Sequence, residues 1–254
     1  MSLSVSGPDL LRAPNLDVPH GFTLRSGGVS AGPFASLNLG LSSGDDAERV
    51  ERNRDRVLAS LGVRRDQVFA FNQVHGTRIV EQTPSWFTED ADAAITDHPD
   101  HLLVISVADC LPLLFHDPVR QVIGAAHCGW RGTVAGLAGK LVRRLQDGYD
   151  VDPDTLQVAI GPGIRGACYQ VGAEVGAQFR EAGFPDTIAT PDDEGRFRLD
   201  LVAANRWRLE QAGVPADNIA DVGRCTHCEP DAFYSYRRDA GTTGRHWALI
   251  RLGA

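Results

Sequence analysis

The sequence predicts a single α/β domain, and three observations predict it. Short runs rich in Val, Ile and Leu, bounded by Pro, Asp or Gly, recur along the chain and read as buried strands. Between them lie segments with apolar residues at helical spacing, closed by glycine. No internal repeat, low-complexity tract or linker breaks the series, so one domain over residues 20–254 follows a polar, Pro-containing and poorly ordered lead-in over 1–19.

Composition narrows the class. A chain of 254 residues can bury a substantial core, and its 43% hydrophobic and 23% charged content fits a globular protein rather than a disordered or membrane one. The net charge of −8 lacks the basic footprint of a general nucleic-acid binder, although a local basic pocket for a phosphate remains compatible with it. No apolar run approaches the roughly 20 residues of a membrane span. The opening Met-Ser-Leu-Ser-Val-Ser-Gly lacks the basic and apolar regions of a secretory signal. Five cysteines, an odd count, make no disulfide framework, and the cytoplasm is the expected compartment.

Taken in order, His20–Leu24 reads as a strand, followed by the loop Arg25-Ser-Gly-Gly-Val-Ser-Ala-Gly-Pro. Asn38, between two leucines, reads as an Asn satisfying backbone groups in a turn. Asp45 or Asp46 is placed to cap a helix over Glu48–Leu61 that Gly62 stops. Its charged residues form a solvated face; Arg54 would act as an anion clamp if it pointed inward. Gln67–Val74 and Thr77–Gln82 read as strands on either side of His75-Gly76, and Ala91–Asp97 as strand plus turn.

Three further runs, Leu102–Val107, Leu113–His116 and Gln121–Ala126, form the densest apolar block. Cys110 follows the first, and His127 closes the third within Ala-His-Cys-Gly-Trp-Arg-Gly-Thr. A helix is expected to open at Gly129 and run to about Gln146, so that its free backbone N–H groups lie beside His127 and Arg131 as a phosphate or oxyanion site. Leu156–Ile160 is a strand. The Gly161-Pro-Gly-Ile-Arg-Gly that follows matches a dinucleotide fingerprint in letters only, because Pro162 sits in the turn and no clean helix follows. Helices over Val171–Glu181 and Leu199–Ala212, a turn at Pro191–Gly195 and a final strand His246–Leu252 complete the chain.

Strand ends beside Gly-rich turns hold chemistry rigidly while leaving it open to ligands. We expect His75, Cys110 and His127 to converge on one centre. Two imidazoles and a thiolate suit zinc with one position left for water, whose pKa the ion would lower. The same residues also permit a metal-free site with Cys110 as nucleophile, a histidine as base, and Asp109 or a backbone group as orienter. Residue chemistry leaves both open. Cys225-Thr-His-Cys228 invites a zinc reading too, but no second CxxC exists and the Pro-Cys-x-x-Cys of zinc deaminases is missing, so a pair of buried or inert thiols is expected there. Copper is the weaker metal. Eight histidines with no His-x-His pair, and Met1 as the sole methionine, do not furnish a multicopper oxidase.

The stretches Ser36-Leu-Asn-Leu-Gly, Asn53-Arg54, Gln73-Val-His-Gly-Thr, Ala108-Asp-Cys-Leu-Pro-Leu-Leu-Phe, Ala125-Ala-His-Cys-Gly-Trp-Arg-Gly, Ile160-Gly-Pro-Gly-Ile and Phe233-Tyr-Ser-Tyr-Arg-Arg-Asp run in order over nearly the whole chain. Together they resemble the YfiH-like family, also called the laccase-domain or polyphenol-oxidase family and described as purine nucleoside phosphorylases. The resemblance implies a layered α/β/β/α sandwich with mixed sheets and a zinc held at His75, Cys110 and His127. It also implies phosphorolysis of adenosine, inosine and methylthioadenosine, with adenosine deamination beside it. Cys128 stands where the family has alanine. Asn38 would bind sugar or base, and Arg54, Arg131 or the Arg237-Arg238 pair the phosphate. Nucleosides and phosphate are then the partners, with a monomer expected and no nucleic acid or membrane. An amidohydrolase acting on cell-wall peptide precursors, using cysteine or zinc, is the alternative, ahead of a copper polyphenol oxidase.

Overall fold

The computed structural model describes residues 8–81 and 86–253. In chain order its strands and helices are β1 Leu10–Leu11, β2 His20–Thr23, α1 Ala47–Leu61, β3 Val68–Asn72, β4 Ile79–Glu81, β5 Trp86–Asp90, β6 Ala93–Thr96 and β7 Leu102–Val107. Then follow β8 Leu111–Asp117, β9 Val122–Cys128, α2 Trp130–Val134, α3 Leu137–Tyr149, β10 Gln157–Ile160 and β11 Gln170–Val171. The chain ends with α4 Ala173–Glu181, β12 Ala189–Pro191, β13 Phe197–Leu199, α5 Leu201–Gln211, β14 Ile219–Asp221 and β15 His246–Arg251.

Two six-stranded mixed sheets carry the fold, in the orders β1-β2-β15-β7-β3-β5 and β14-β10-β8-β9-β6-β4. The period of two along each strand sorts its side chains into layers. In β7, Leu103, Ile105 and Val107 face the other sheet, whereas Leu102 and Val104 face α1 together with Val57 and Leu58. In the second sheet, Leu114, Ile123 and Ala125 meet the first sheet, while Leu113, Phe115 and Ala126 pack on Leu137, Leu141 and Leu145 of α3. The result is helix, sheet, sheet, helix, the four layers that the resemblance implied. A third, three-stranded sheet, β11-β13-β12, carries the turn foreseen at Pro191–Gly195.

Local signals set several element ends. Asp46 caps α1 by accepting from the backbone N–H of Glu48 and Arg49, at 2.9 and 3.2 Å, and Gly62 ends it in the left-handed region at φ 64°. The helix foreseen as unbroken from Gly129 is two helices, because Gly136 adopts φ 79° and turns the chain between α2 and α3. The strand foreseen as Thr77–Gln82 is shorter, Ile79–Glu81, and Gln82 lies outside the described residues.

The lead-in needs correction. From Pro8 onward it is packed: β1 pairs antiparallel with β2, and Ala13 and Leu16 are buried. Asn15 Nδ2 donates to the carbonyls of Val158 and Asn218, both at 3.0 Å. A polar composition hid a few well-spaced apolar anchors. Residues 1–7 lie outside the described ones.

Leu141, fully buried between α3 and the second sheet, should lose about 2–5 kcal/mol of stability as Leu141→Ala. The same truncation at Leu41, exposed on a surface turn, should stay within about 0.5 kcal/mol. Urea midpoints of the two variants measure the difference.

Candidate active site

Strand register brings the chemistry together. In the β8–β9 hairpin, Leu111 lies opposite Cys128 and Pro112 opposite His127, so Cys110, one residue before β8, ends beside His127. In the β6–β9 pair, Ala93 lies opposite Ala126, which sets Asp92 next to His127. His75 enters from the loop between β3 and β4. The result is a group in which one ligand atom each from His75, Cys110 and His127 lies within 4.8 Å of the others. The two imidazole rings meet edge to face, with centroids 4.8 Å apart.

Asp92 organises this group. Its carboxylate is fully buried and accepts from His127 Nδ1 at 2.8 Å and from the backbone N–H groups of His75, Gly76 and Val74 at 3.0, 2.6 and 3.3 Å. Its carbonyl also accepts from the His127 N–H at 2.7 Å. Burial alone would raise the Asp92 pKa, but the His127 bond and the backbone donors outweigh it and hold the carboxyl below its usual range. The ionised carboxylate can only accept, so His127 Nδ1 donates and Nε2 is the nitrogen left to hold a ligand once its own proton is displaced. His75, at φ 59°, takes the left-handed turn that wraps this loop around the carboxylate.

Cys110 is fixed from the other side. The preceding Asp109 sits at φ 85°, a conformation that costs an ordinary side chain about 1–3 kcal/mol. Its carboxylate holds it there, accepting from Thr226 Oγ1 at 2.6 Å and from the Arg237 N–H at 2.7 Å. Asp109 is therefore not the orienter of a histidine; Asp92 is. Burial would raise the Cys110 thiol, but the neighbouring imidazoles of His127 and His75 prevail and bring it down to about 6. Burial would likewise lower His127, yet the Cys110 thiolate and Asp92 lift it to about 9. Cys128 takes no part. The strand alternation turns it into the core beneath α3, where burial drives its thiol pKa upward.

The residues present fit a metal ion. Two imidazole nitrogens and a thiolate are a borderline-soft donor set, one imidazole is braced by a carboxylate, and Gly129 leaves the space beside them clear. A Cβ at Gly129 would lie 2.9 Å from both Cys110 Sγ and His75 Nδ1.

Of the expected anion-binding residues, two lie on segments that border this centre, Arg131 just after Gly129 and Arg237 with its backbone N–H bonded to Asp109. Arg131 is exposed, its guanidinium 4.4 Å from the Trp130 ring centre, and Arg237 stands 5.0 Å from that of Tyr169 while donating to the Gln170 carbonyl at 2.5 Å. Arg238 is tied to Asp239 and to the carbonyls of Thr226 and Phe233. Arg54 is not a phosphate clamp: it is buried over the Phe87 ring and bonded to Glu51 and the Leu39 carbonyl, and burial lowers its pKa to about 10. Asn38 is also internal. Its amide donates to Ser43 and Asp45, and its oxygen accepts from the N–H groups of Gly40 and Arg245.

Sequence reasoning missed Asp92, Tyr169 and Arg245. Asp92 left a signal, since a carboxylate inside Ala-Asp-Ala-Ala-Ile must be paired if that strand is buried. Tyr169 is half-buried, and its hydroxyl is pushed up to about 12 by burial and then by the Cys110 charge, with Arg237 and Arg131 opposing. Arg245, anchored through Asn38, carries a charge that burial disfavours and that Cys110 favours. Neither of these two bears a pattern that singles it out.

Asp92→Asn should weaken zinc binding at this centre about 10–100-fold, measured by competition with a chromogenic chelator. In protein stripped of metal, iodoacetamide should alkylate Cys110 at a rate that holds from pH 9 down to about 6 and falls below it. Peptide mapping against pH reads this; a midpoint near the ordinary thiol value would contradict the thiolate–imidazolium pairing.

A family profile described as multi-copper polyphenol oxidoreductase laccase matches residues 19–253. The purine nucleoside phosphorylase of Deinococcus radiodurans is 49% identical over 250 residues, covering 98% of this chain and 95% of that one. The purine nucleoside phosphorylase YlmD of Geobacillus stearothermophilus is 40% identical and covers 91% and 88%. The crystal structure of the Bacillus licheniformis hypothetical protein YfiH superposes with a TM-score of 0.91 at 34% identity, covering 99% and 98% of the two chains. With the matches spanning nearly every element around Asp92, the chain belongs to the YfiH/YlmD family, the laccase-domain proteins.

Proposed function

We propose that the chain is a zinc-dependent purine nucleoside phosphorylase that converts adenosine, inosine and methylthioadenosine to free base and sugar 1-phosphate, and deaminates adenosine at the same centre. One observation carries the reading: the His75–Cys110–His127 group is bordered by the segments that carry Arg131, four residues after His127, and Arg237, whose backbone N–H is bonded to Asp109 beside Cys110. The names of the relatives support it. A zinc ion held by those three residues would supply Lewis acidity toward an oxygen or a water in its remaining position.

The chain's own residues do the rest. The Tyr169 ring offers a flat face for a base or sugar. Arg131 and Arg237 neutralise a phosphate dianion, which in turn stabilises the positive charge that grows on the sugar ring as the glycosidic bond lengthens. Asp92 fixes the His127 ring and costs nothing in reorganisation during turnover. The protein as a whole is negative, at −8, so these cations concentrate favourable potential locally. Free thiols throughout suit a cytoplasmic enzyme.

A second reading has its own observation. Without an ion, Cys110, His127 and Asp92 form a thiolate–imidazolium–carboxylate row, the arrangement of a cysteine amidohydrolase acting on peptide precursors of the cell wall. Zinc would then inhibit and chelators would activate.

Inosine with phosphate should yield hypoxanthine and ribose 1-phosphate, with activity lost on chelation and restored by zinc; amide cleavage that needs no phosphate and survives chelation would overturn the proposal. Arg131→Ala should raise the KM for phosphate about tenfold, the loss of one charge-assisted contact, with a smaller change in the KM for inosine.

A further inference from the structure

Among the described residues, a second group of metal-ligating side chains lies outside this centre. One ligand atom each from Cys168, His227 and Cys228 falls within 4.8 Å of the others. Cys168 comes from the short turn Gly166–Cys168, and His227 and Cys228 from Cys225-Thr-His-Cys. The sequence offered this CxxC no partner pair. The fold supplies a thiol from sixty residues earlier instead.

We propose that Cys168, His227 and Cys228 form a structural zinc site. Two thiols and an imidazole meeting at one point are the donors that a thiophilic ion with a closed shell selects. The Cys168 and Cys228 sulfurs are 3.1 Å apart, too far for a bond of about 2.05 Å. Two thiolates on one tetrahedral zinc at about 2.3 Å each stand roughly 3.8 Å apart. Cys228 is exposed, so its side chain can open by that difference without disturbing the core. Cys225, the buried end of the CxxC, lies with its thiol against Cys228. Glu229, the carboxylate that follows Cys228 in sequence, is engaged by Arg224 and by the Cys225 N–H.

The position gives the ion a purpose. Cys168 is bonded in sequence to Tyr169, over whose ring the Arg237 guanidinium lies, and Thr226, inside the CxxC, donates to Asp109 beside Cys110. An ion joining the two loops would pin both at once. Tyr169 and the strained Asp109 would then be fixed by a contact that touches no substrate.

The test is zinc stoichiometry on untagged full-length protein prepared under reducing, anaerobic conditions. Wild type should hold two equivalents, and both Cys110→Ser and the double variant Cys168→Ser/Cys228→Ser should hold one. In Cys110→Ser, X-ray absorption of the remaining zinc should show at least two sulfurs and one imidazole. Added zinc should raise the Tm of Cys110→Ser but leave that of the double variant carrying Cys110→Ser unchanged. One equivalent in wild type, lost in Cys110→Ser, overturns the proposal, as does a second equivalent that survives in the double variant. A Cys168–Cys228 disulfide in that preparation, seen as a mass lower by two hydrogens, would overturn it too. The single variant His227→Gln, in the event that the double variant does not fold, should likewise retain one equivalent. None of these outcomes depends on the proposed activity of the first centre.

Discussion

A carboxylate with no exposure to water is the constraint on which this structure rests. Asp92 could not remain ionised inside the protein unless its oxygens were met by donors, and the fold meets them with three consecutive backbone N–H groups and one imidazole. Meeting them forces geometry on everything nearby. The loop carrying His75 must curl through a left-handed residue to direct Val74, His75 and Gly76 at one side chain. His127 must present Nδ1 inward and leave its other nitrogen for the centre. The β6–β9 register must keep Asp92 beside His127. A single buried charge therefore couples one loop and two strands.

The open end of the central β8–β9 hairpin in the second sheet converts register into a candidate ligand group. Cys110 and His127 sit at the open end of a hairpin, where side chains can leave the layered core without breaking its packing. The conformational cost at Asp109 is offset by its bonds to Thr226 and Arg237, contributed by segments far along the chain. Those segments belong to the wall that carries the candidate anion-binding cations. Orientation of the thiol and placement of these groups are thus set by the same contacts.

The cysteines show how little residue type alone says. Cys128 is adjacent in sequence to a site histidine and is removed from the site by the alternation of a strand. Cys168, Cys225 and Cys228 are remote from the first centre in sequence, and the loops that bear them bound it. Burial and direction, rather than proximity along the chain, assign each thiol its chemistry.

Local physical signals in the sequence determined much of the secondary structure. The apolar runs of β7, β8 and β9, the Asp46 cap and the Gly62 stop of α1, and the glycine-closed helices are all short-range effects of burial period, capping and backbone freedom. The candidate triad was legible as well, from residue chemistry at the ends of apolar runs together with the matched motifs. The tertiary structure decided what depends on contacts between distant segments. It turned Arg54 into a core residue paired with Glu51, made Asn38 the anchor of Arg245, and packed the lead-in against the sheet. It also recruited Asp92 as the brace of His127 and brought Cys168 to the CxxC. Periodicity shows which face a side chain takes, but the partner across that face is chosen by strand register and loop closure, and these are properties of the folded chain alone.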